Sequence, residues 1–222
     1  LGRTGTAVFR ALDGITEPIC YDDSELSRQK FSDNFGAKFI HEQQASEWGN
    51  ITKLVVSPGV VHDHYLIKHL SAKGVKISSD IELLYEEFPD AKYVAITGTN
   101  GKSTTTSLTN HILSKFNKRF QIGGNIGKAC LELEPPKSAS EGYVLELSSF
   151  QLDLLPAEVK FDIVAILNVT PDHLDRYGTF ENYENSKLRV LQLVRPKDGY
   201  IVINEDYYRQ NKDVIKNIIN GN

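Results

Sequence analysis

The stretch Tyr93-Val-Ala-Ile-Thr-Gly-Thr-Asn-Gly-Lys-Ser-Thr-Thr-Thr106 decides the fold of this chain. Its apolar part, Val94–Ile96, predicts a buried strand, glycines then interrupt the strand, and a helical pattern follows from Ser103 to Leu113. Small residues let backbone N–H groups approach phosphate oxygens, and a helix N-terminus adds partial positive charge. A strand, a glycine-rich turn and a helix in this order therefore predict a phosphate-binding loop.

The side chains in this loop suit a nucleotide with its metal. Lys102 supplies a mobile cation for phosphate oxygens, and Ser103 offers a hydroxyl to Mg²⁺. Most such loops carry a glycine at the position of Ile96, so we predict a tighter variant. A plainer interpretation is that the glycines only turn the strand into the helix. The predicted nucleotide-binding residues are Gly98, Thr99, Asn100, Gly101, Lys102, Ser103 and Thr104.

Length and composition bound the class of protein. The 222 residues suffice for two domains of ordinary size. A net charge of -4 without a basic stripe argues against a nucleic-acid partner. With no long apolar run and no signal-peptide pattern, we expect a soluble chain, and Cys20 and Cys130 suit a reducing cytosol. The chain has no methionine, so we expect residues upstream of Leu1.

Residues 1–91 predict a Rossmann-like α/β domain. A glycine-rich turn at residues 2–5 leads into a helix, and an acidic pair at residues 22–23 follows a short strand, where a ribose hydroxyl can be held. Ser-Pro-Gly at residues 57–59 ends a later strand, which is where α/β sheets bind ligands. Each feature also occurs as a plain turn or loop. The candidate ligand residues are Gly2, Arg3, Thr4, Asp22, Asp23, Ser57, Pro58 and Gly59.

Residues 92–222 predict a second domain with a mostly parallel sheet, because strand and helix patterns alternate along them. Glu146 ends a strand, which is where a Walker-B carboxylate holds Mg²⁺, and Asn125 lies in a glycine-rich run from which it can donate to a phosphoryl or carbonyl oxygen. His173 is a candidate metal or phosphate contact, and Lys187 lies on a predicted helix. The plainer interpretations are a surface carboxylate, a glycine-rich loop, a structural histidine and a solvated lysine.

Taken together, five motifs resemble the Mur ligases in type and order. They are the motifs at residues 96–104, 123–127, 145–152, 167–177 and 183–189. The resemblance covers the whole chain but about half of the family's length. It implies that a longer central domain and a third, C-terminal domain lie beyond Asn222, so that this chain alone does not complete a catalytic cycle.

The resemblance implies a cytoplasmic, usually monomeric, ATP-dependent ligase of peptidoglycan precursor synthesis. The motifs at residues 145–152 and 172–177 point to the activity that joins D-glutamate to UDP-N-acetylmuramoyl-L-alanine through an acyl phosphate. The alternative is a non-catalytic module that binds ATP or a UDP-sugar. Such a module would have no need to keep Glu146, His173 and Lys187 together with the phosphate-binding loop.

Site roles also follow from the resemblance. Lys102 would contact the β- and γ-phosphates of ATP, and Ser103 with Glu146 would hold a first Mg²⁺. His173 would touch a second Mg²⁺, on which Lys187 would act as a carbamate.

Two further roles rest on the same resemblance. Asn125 would contact the transferring groups or the muramoyl substrate. Residues 2–4, 22–23 and 57–59 would hold the UDP portion. Family members often carry an arginine where this chain has Ser24, so the resemblance is less complete at the UDP site than at the ATP site.

Overall fold

The computed structural model describes residues 1–39, 51–61 and 63–221. Contacts among these residues divide into two compact units. The first unit holds Leu1–Asp80 together with Ala129–Glu132, and the second holds the chain from Ile81 onward apart from that tetrapeptide. The contacts thus divide at Asp80, whereas the domain boundary near residue 91 stays a prediction.

The first unit packs helices against two pairs of short parallel strands, β1 with β2 and β3 with β4. Its aromatic core includes Phe9 and Phe31, whose rings meet edge to face at 5.2 Å. Its elements are α1 (Arg3–Leu12), β1 (Ile19–Cys20), α2 (Glu25–Phe35), β2 (Lys38–Phe39), β3 (Lys53–Val55), α3 (Tyr65–Ala72), β4 (Lys76–Ser78) and the first residue of α4 (Asp80–Glu87).

The second unit is built on a five-stranded parallel sheet with the strand order β6-β7-β5-β8-β9. Of two short 3-10 helices, Arg189–Leu193 belongs to this unit, whereas Cys130–Glu132 lies in the tetrapeptide of the first unit. The sheet and its helices are β5 (Lys92–Thr97), α5 (Lys102–Lys115), β6 (Phe120–Gly124), β7 (Gly142–Glu146), α6 (Ser149–Leu154), β8 (Ile163–Ile166), α7 (Leu174–Tyr177), α8 (Phe180–Leu188), β9 (Tyr200–Ile203), α9 (Glu205–Gln210) and α10 (Lys212–Asn220).

The phosphate-loop strand β5 is the middle strand of this sheet. All of its residues after Lys92 are buried, as the apolar sequence of a parallel strand covered on both faces requires. Because all five strands run in parallel, their carboxyl ends meet at one edge, where ligands of α/β sheets bind. The predicted α/β class with a mostly parallel sheet is confirmed.

Two details of local structure go beyond the sequence patterns. The sequence left open whether the run Gln121–Gly127 is a plain glycine-rich loop, and in the structure Gln121–Gly124 belong to β6. Gly124 has a φ of +88°, and a Cβ there would collide with the backbone oxygen of Glu146, so this end of the strand requires glycine. The helix predicted to run from Thr179 through Lys187 towards Val194 is an α-helix as far as Leu188 and continues as a 3-10 helix to Leu193. No helix in the described ranges is both long and apolar enough to span a bilayer.

Candidate active site

The phosphate-binding loop depends on its two glycines for its backbone path. Gly98 and Gly101 have φ angles of +153° and +83°, which L side chains rarely adopt. A Cβ on Gly98 would also lie 3.1 Å from the backbone oxygen of Asn168. Gly101 caps the N-terminus of α5, with Lys102 as the first helical residue and Ser103 and Thr104 in the same turn. The loop therefore brings the predicted residues 98–104 to the N-terminus of a helix.

Asn168, which follows β8, fixes the loop from the neighbouring strand. Its side chain accepts from the Asn100 backbone N–H at 2.9 Å and donates to the Asn100 carbonyl at 3.0 Å. Its own carbonyl accepts from the Thr99 backbone N–H at 2.9 Å. Asn168 received no role from the sequence, although it lies in the motif at residues 167–177.

Two lysines donate to adjacent carbonyls of the loop. Lys102 Nζ donates to the Thr99 carbonyl and Lys187 Nζ to the Gly98 carbonyl, each at 2.9 Å. Lys187 is only 2% exposed, and its Nζ lies 4.7 Å from the centre of the Tyr183 ring. Burial and then the charge of Lys102 lower the pKa of Lys187 to about 8, against a weaker opposing effect of nearby aspartates.

Glu146, at the end of β7, accepts hydrogen bonds from two other predicted site residues. Its carboxylate is 1% exposed and accepts from Ser103 Oγ and from Asn125 Nδ2, each at 2.7 Å. The Asn125 backbone N–H donates to the Glu146 carbonyl at 2.9 Å. Ser103 from α5 and Asn125 from the turn after β6 thus meet at the carboxylate of Glu146.

The Ser103 and Glu146 oxygens fit a magnesium ion. Both are hard oxygen donors, which Mg²⁺ prefers, and the 2.7 Å hydrogen bond between them already holds the two oxygens side by side. Across the described ranges, no three His, Cys, Asp or Glu side chains form a cluster for a metal. A magnesium ion here would therefore take its other ligands from phosphates and water, as Mg²⁺ commonly does in nucleotide sites.

His173 lies on the same side of the site as Lys187. Its backbone has a φ of +50°, and its N–H donates to Asp172 Oδ1 at 2.9 Å. Its side chain is 48% exposed, and its ring centre lies 5.0 Å from that of Phe150 and 6.1 Å from that of Tyr183. His173 and Lys187 thus both lie against Tyr183, whose hydroxyl is 3.2 Å from Thr99 Oγ1 in the loop.

The acidic pair predicted for a UDP ligand is fixed by hydrogen bonds within the first unit. Asp23 Oδ1 lies 3.0 Å from His64 Nε2 and accepts from Tyr21 OH at 3.1 Å. The hydrogen bond from His64 is the main cause that lowers the pKa of Asp23. Arg28 Nη1 donates to the backbone carbonyls of Asp22 and Asp23. The sequence analysis missed this arginine because it lies one turn inside α2.

The other residues predicted for that ligand lie at the start of α1 and after β3. Gly2 is the N-cap of α1, which lacks a side-chain cap, and Arg3 and Thr4 belong to its first turn. Ser57 Oγ lies 3.9 Å from the position of a Cβ on Gly5, so the loop at residues 57–59 approaches that turn. Ser24, which stands where the family often has an arginine, instead caps α2 by accepting from the Ser27 N–H.

Comparison with known proteins gives consistent matches. Residues 96–220 match a family profile described as the Mur ligase middle domain. The chain is 42% identical over 212 residues to UDP-N-acetylmuramoylalanine--D-glutamate ligase of Rickettsia prowazekii, covering 95% of this chain and 46% of that protein. It is 44% identical over 196 residues to the protein of the same name from Wolbachia pipientis wMel, covering 86% and 37%. It therefore spans about half, or less, of the length of these relatives.

Solved structures show the same fold at low sequence identity. The UDP-N-acetylmuramate:L-alanyl-gamma-D-glutamyl-meso-diaminopimelate ligase from Neisseria meningitides has a TM-score of 0.61 at 15% identity, over 97% of this chain and 72% of that one. The MurF ligase from Thermotoga maritima, solved in complex with ADP, has a TM-score of 0.50 at 17% identity, over 76% and 47%.

Proposed function

Because this chain belongs to the Mur ligase family, we propose that it forms part of an ATP-dependent ligase that joins D-glutamate to UDP-N-acetylmuramoyl-L-alanine in the cytoplasm. The observation that carries the proposal is the buried Lys187, which donates to the phosphate-loop carbonyl of Gly98. A module that only bound nucleotide would gain nothing from burying a second lysine beside Lys102.

The proposed reaction has two chemical steps. The carboxylate of the alanyl substrate attacks the γ-phosphorus of ATP, so that an acyl phosphate forms and ADP leaves. The amine of D-glutamate then attacks the acyl carbon, a tetrahedral intermediate forms, and phosphate leaves as the amide forms and the amine loses a proton. The first step brings two anions together, so positioning and electrostatic stabilisation must supply most of the acceleration.

The loop and Glu146 supply the nucleotide half of the site. Backbone N–H groups at the start of α5 would receive phosphate oxygens, and Lys102 would leave the Thr99 carbonyl to reach the β- and γ-phosphates. Ser103 and Glu146 would hold Mg²⁺, which neutralises phosphate charge when it is bound. The Asn125 amide donates to Glu146, and with that carboxylate holding the ion the amide would contact the transferring groups instead.

Lys187 and His173 would supply the acyl half. The ammonium group of Lys187 would first lose a proton, and the neutral amine would then add CO₂ and release a second proton, so that a cation becomes a carbamate anion. Without that conversion, an ammonium group beside Lys102 and two metal ions would be repelled, whereas a carbamate can act on the second ion. His173, which shares the Tyr183 contact with Lys187, would touch the same ion.

The UDP portion would bind in the first unit. The uncapped N-terminus of α1 at Gly2, Arg3 and Thr4 offers backbone N–H groups to the diphosphate. Asp22 and Asp23 would receive hydroxyl or ring N–H groups of the nucleoside, with Arg28 in place of the arginine absent at Ser24.

Calorimetric titration of this chain tests the proposal. The titrants are UDP-N-acetylmuramoyl-L-alanine and UDP-N-acetylmuramate without the alanine, in the presence of Mg²⁺ and a non-hydrolysable ATP analogue. We expect tighter binding of the alanyl compound. Equal binding of the two compounds would contradict the assigned substrate, and failure of the ATP analogue to bind would contradict the nucleotide site.

A further inference from the structure

The hydroxyl of Tyr177, at the end of α7, joins α6 to α8, the helix that carries Lys187. It donates to Asp153 Oδ2 on α6 at 2.7 Å, and its oxygen lies 3.2 Å from Ser186 Oγ on α8. Ser186 Oγ is in turn 3.0 Å from the Ser149 carbonyl, so its single proton is shared between that carbonyl and the Tyr177 oxygen. Burial raises the pKa of Tyr177 to about 12, so the phenol keeps the proton that it donates to Asp153.

The Tyr177 hydroxyl contacts Ser186, the residue before Lys187. Ser186 is 4% exposed and directly precedes Lys187 on α8, so a contact at Ser186 fixes the rotation of the helical turn that aims the amine at Gly98. The Tyr177 ring also contacts the ring of Tyr183, with ring centres 5.5 Å apart, and the Lys187 amine lies over that Tyr183 ring. Both contacts bear on the position of Lys187.

The face of the Tyr177 ring acts on the other residue of the acyl half. It stacks on Phe150 with ring centres 5.6 Å apart and an interplanar angle of 6°. Phe150 in turn lies 5.0 Å from the ring of His173, and the Arg176 guanidinium covers the Phe150 ring at 3.7 Å. A ring held between a stacked phenol and a guanidinium has few other orientations, so Phe150 limits where His173 can lie.

We propose that Tyr177 is the positioning residue of the acyl half of the site: its hydroxyl orients Lys187 through Ser186, and its ring face orients His173 through Phe150. The proposal rests on the proposed function for the meaning of these two targets. Tyr177 itself contacts no reacting atom. It sets the separation of the two groups that would act on one metal ion.

Amine labelling of this chain tests the hydroxyl part. We expect Tyr177→Phe, which keeps the ring, to raise the rate at which an acylating reagent modifies Lys187 about fivefold relative to the exposed Lys92, the effect of losing one hydrogen bond. Tyr207→Phe is the matched control, because Tyr207 OH donates to Glu184 on the same helix at 2.6 Å without touching Ser186. We expect wild-type labelling in this control.

The outcomes separate this inference from the proposed function. Wild-type labelling in Tyr177→Phe, or an equal increase in Tyr207→Phe, would overturn the role of the hydroxyl. In parallel, ¹³C NMR with labelled bicarbonate should show a carbamate signal that Lys187→Arg removes and Tyr177→Phe weakens. If wild-type protein gave no such signal, the carbamate would be wrong, yet the labelling rates would still decide the role of Tyr177.

The ring part is tested by the NMR signals of His173. Tyr177→Phe keeps the stack on Phe150, so the imidazole signals should stay at their wild-type positions, whereas Tyr177→Leu should shift them. Wild-type signals in Tyr177→Leu would show that the ring face has no influence on His173.

Discussion

At the scale of single residues, the site combines groups that a local motif fixes with groups that only folding brings together. Lys102 and Ser103 are set by their place after two glycines, so their geometry at the helix N-terminus was predictable. Tyr177 and Asp153 are 24 residues apart, and nothing in either local sequence indicates the other. Arg28 was missed for a different reason: its targets are the backbone carbonyls of Asp22 and Asp23, and a sequence does not show which carbonyl a side chain meets.

The lowered pKa of Lys187 predicts an unusual pH range for its reaction with CO₂. Only the unprotonated amine reacts, and at pH 8 about half of an amine with a pKa near 8 is unprotonated, against about 0.3% for an ordinary lysine. We therefore expect carbamate occupancy to rise steeply from pH 7 to pH 9 at constant dissolved CO₂.

Quantitative ¹³C NMR of the labelled carbamate measures this occupancy. Lys187→Arg is the control, because a guanidinium forms no carbamate under these conditions and should leave no signal. A signal that appears only near pH 10, as for an exposed lysine, would contradict the effect of burial on this amine.

At the scale of elements, the sequence predicted the order of strands and helices in the second unit better than their ends. Strands β5, β7 and β8 are buried runs of apolar residues, which sequence patterns indicate well. The sequence left a loop open at the glycines of β6, because Gly123 and Gly124 are more typical of a loop than of a strand. Their strand conformation follows from pairing with β7, a contact between distant segments.

A capping box predicts how much α6 depends on its first residue. Ser148 Oγ accepts from the Gln151 N–H at 3.2 Å, and Gln151 Oε1 accepts from the Ser148 N–H at 3.0 Å. We expect Ser148→Ala to lower the free energy of unfolding by about 1 kcal/mol, because helix N–H groups lose their acceptor.

Urea unfolding followed by circular dichroism measures this loss. Ser107→Ala, on the exposed side of α5, is the control and should leave the stability unchanged or raise it slightly, since alanine favours a helix interior. Equal midpoints for Ser148→Ala and wild type would show that the box contributes nothing to stability.

At the scale of the whole molecule, the two sets of predicted ligand residues fall in different compact units. The residues predicted for the UDP portion all belong to the first unit, and those predicted for ATP and metal all belong to the second. These sets could be assigned from the sequence because most of their members lie in short motifs, at helix starts or strand ends, within one unit. The exact residue at which the units divide was beyond sequence patterns, because α4 begins in one unit and ends in the other.

This division predicts that single substitutions separate the two binding events. Lys102→Ala should weaken binding of the ATP analogue at least about tenfold, because a cation is lost from the phosphates, and should leave binding of the UDP compound by itself unchanged. Asp23→Ala should do the reverse. Calorimetry with each ligand alone measures both, and loss of both binding events in either variant would contradict the assignment of ligands to units.

The tetrapeptide Ala129–Glu132 has a consequence for any exchange of parts with a relative. It belongs to the first unit although it is encoded between two strands of the second, and Cys130 within it is fully buried. A gene cassette for Leu1–Asp80 alone would therefore lack four residues of this compact unit. A chimera that exchanges this unit would have to take both segments, Leu1–Asp80 and Ala129–Glu132, from the same relative.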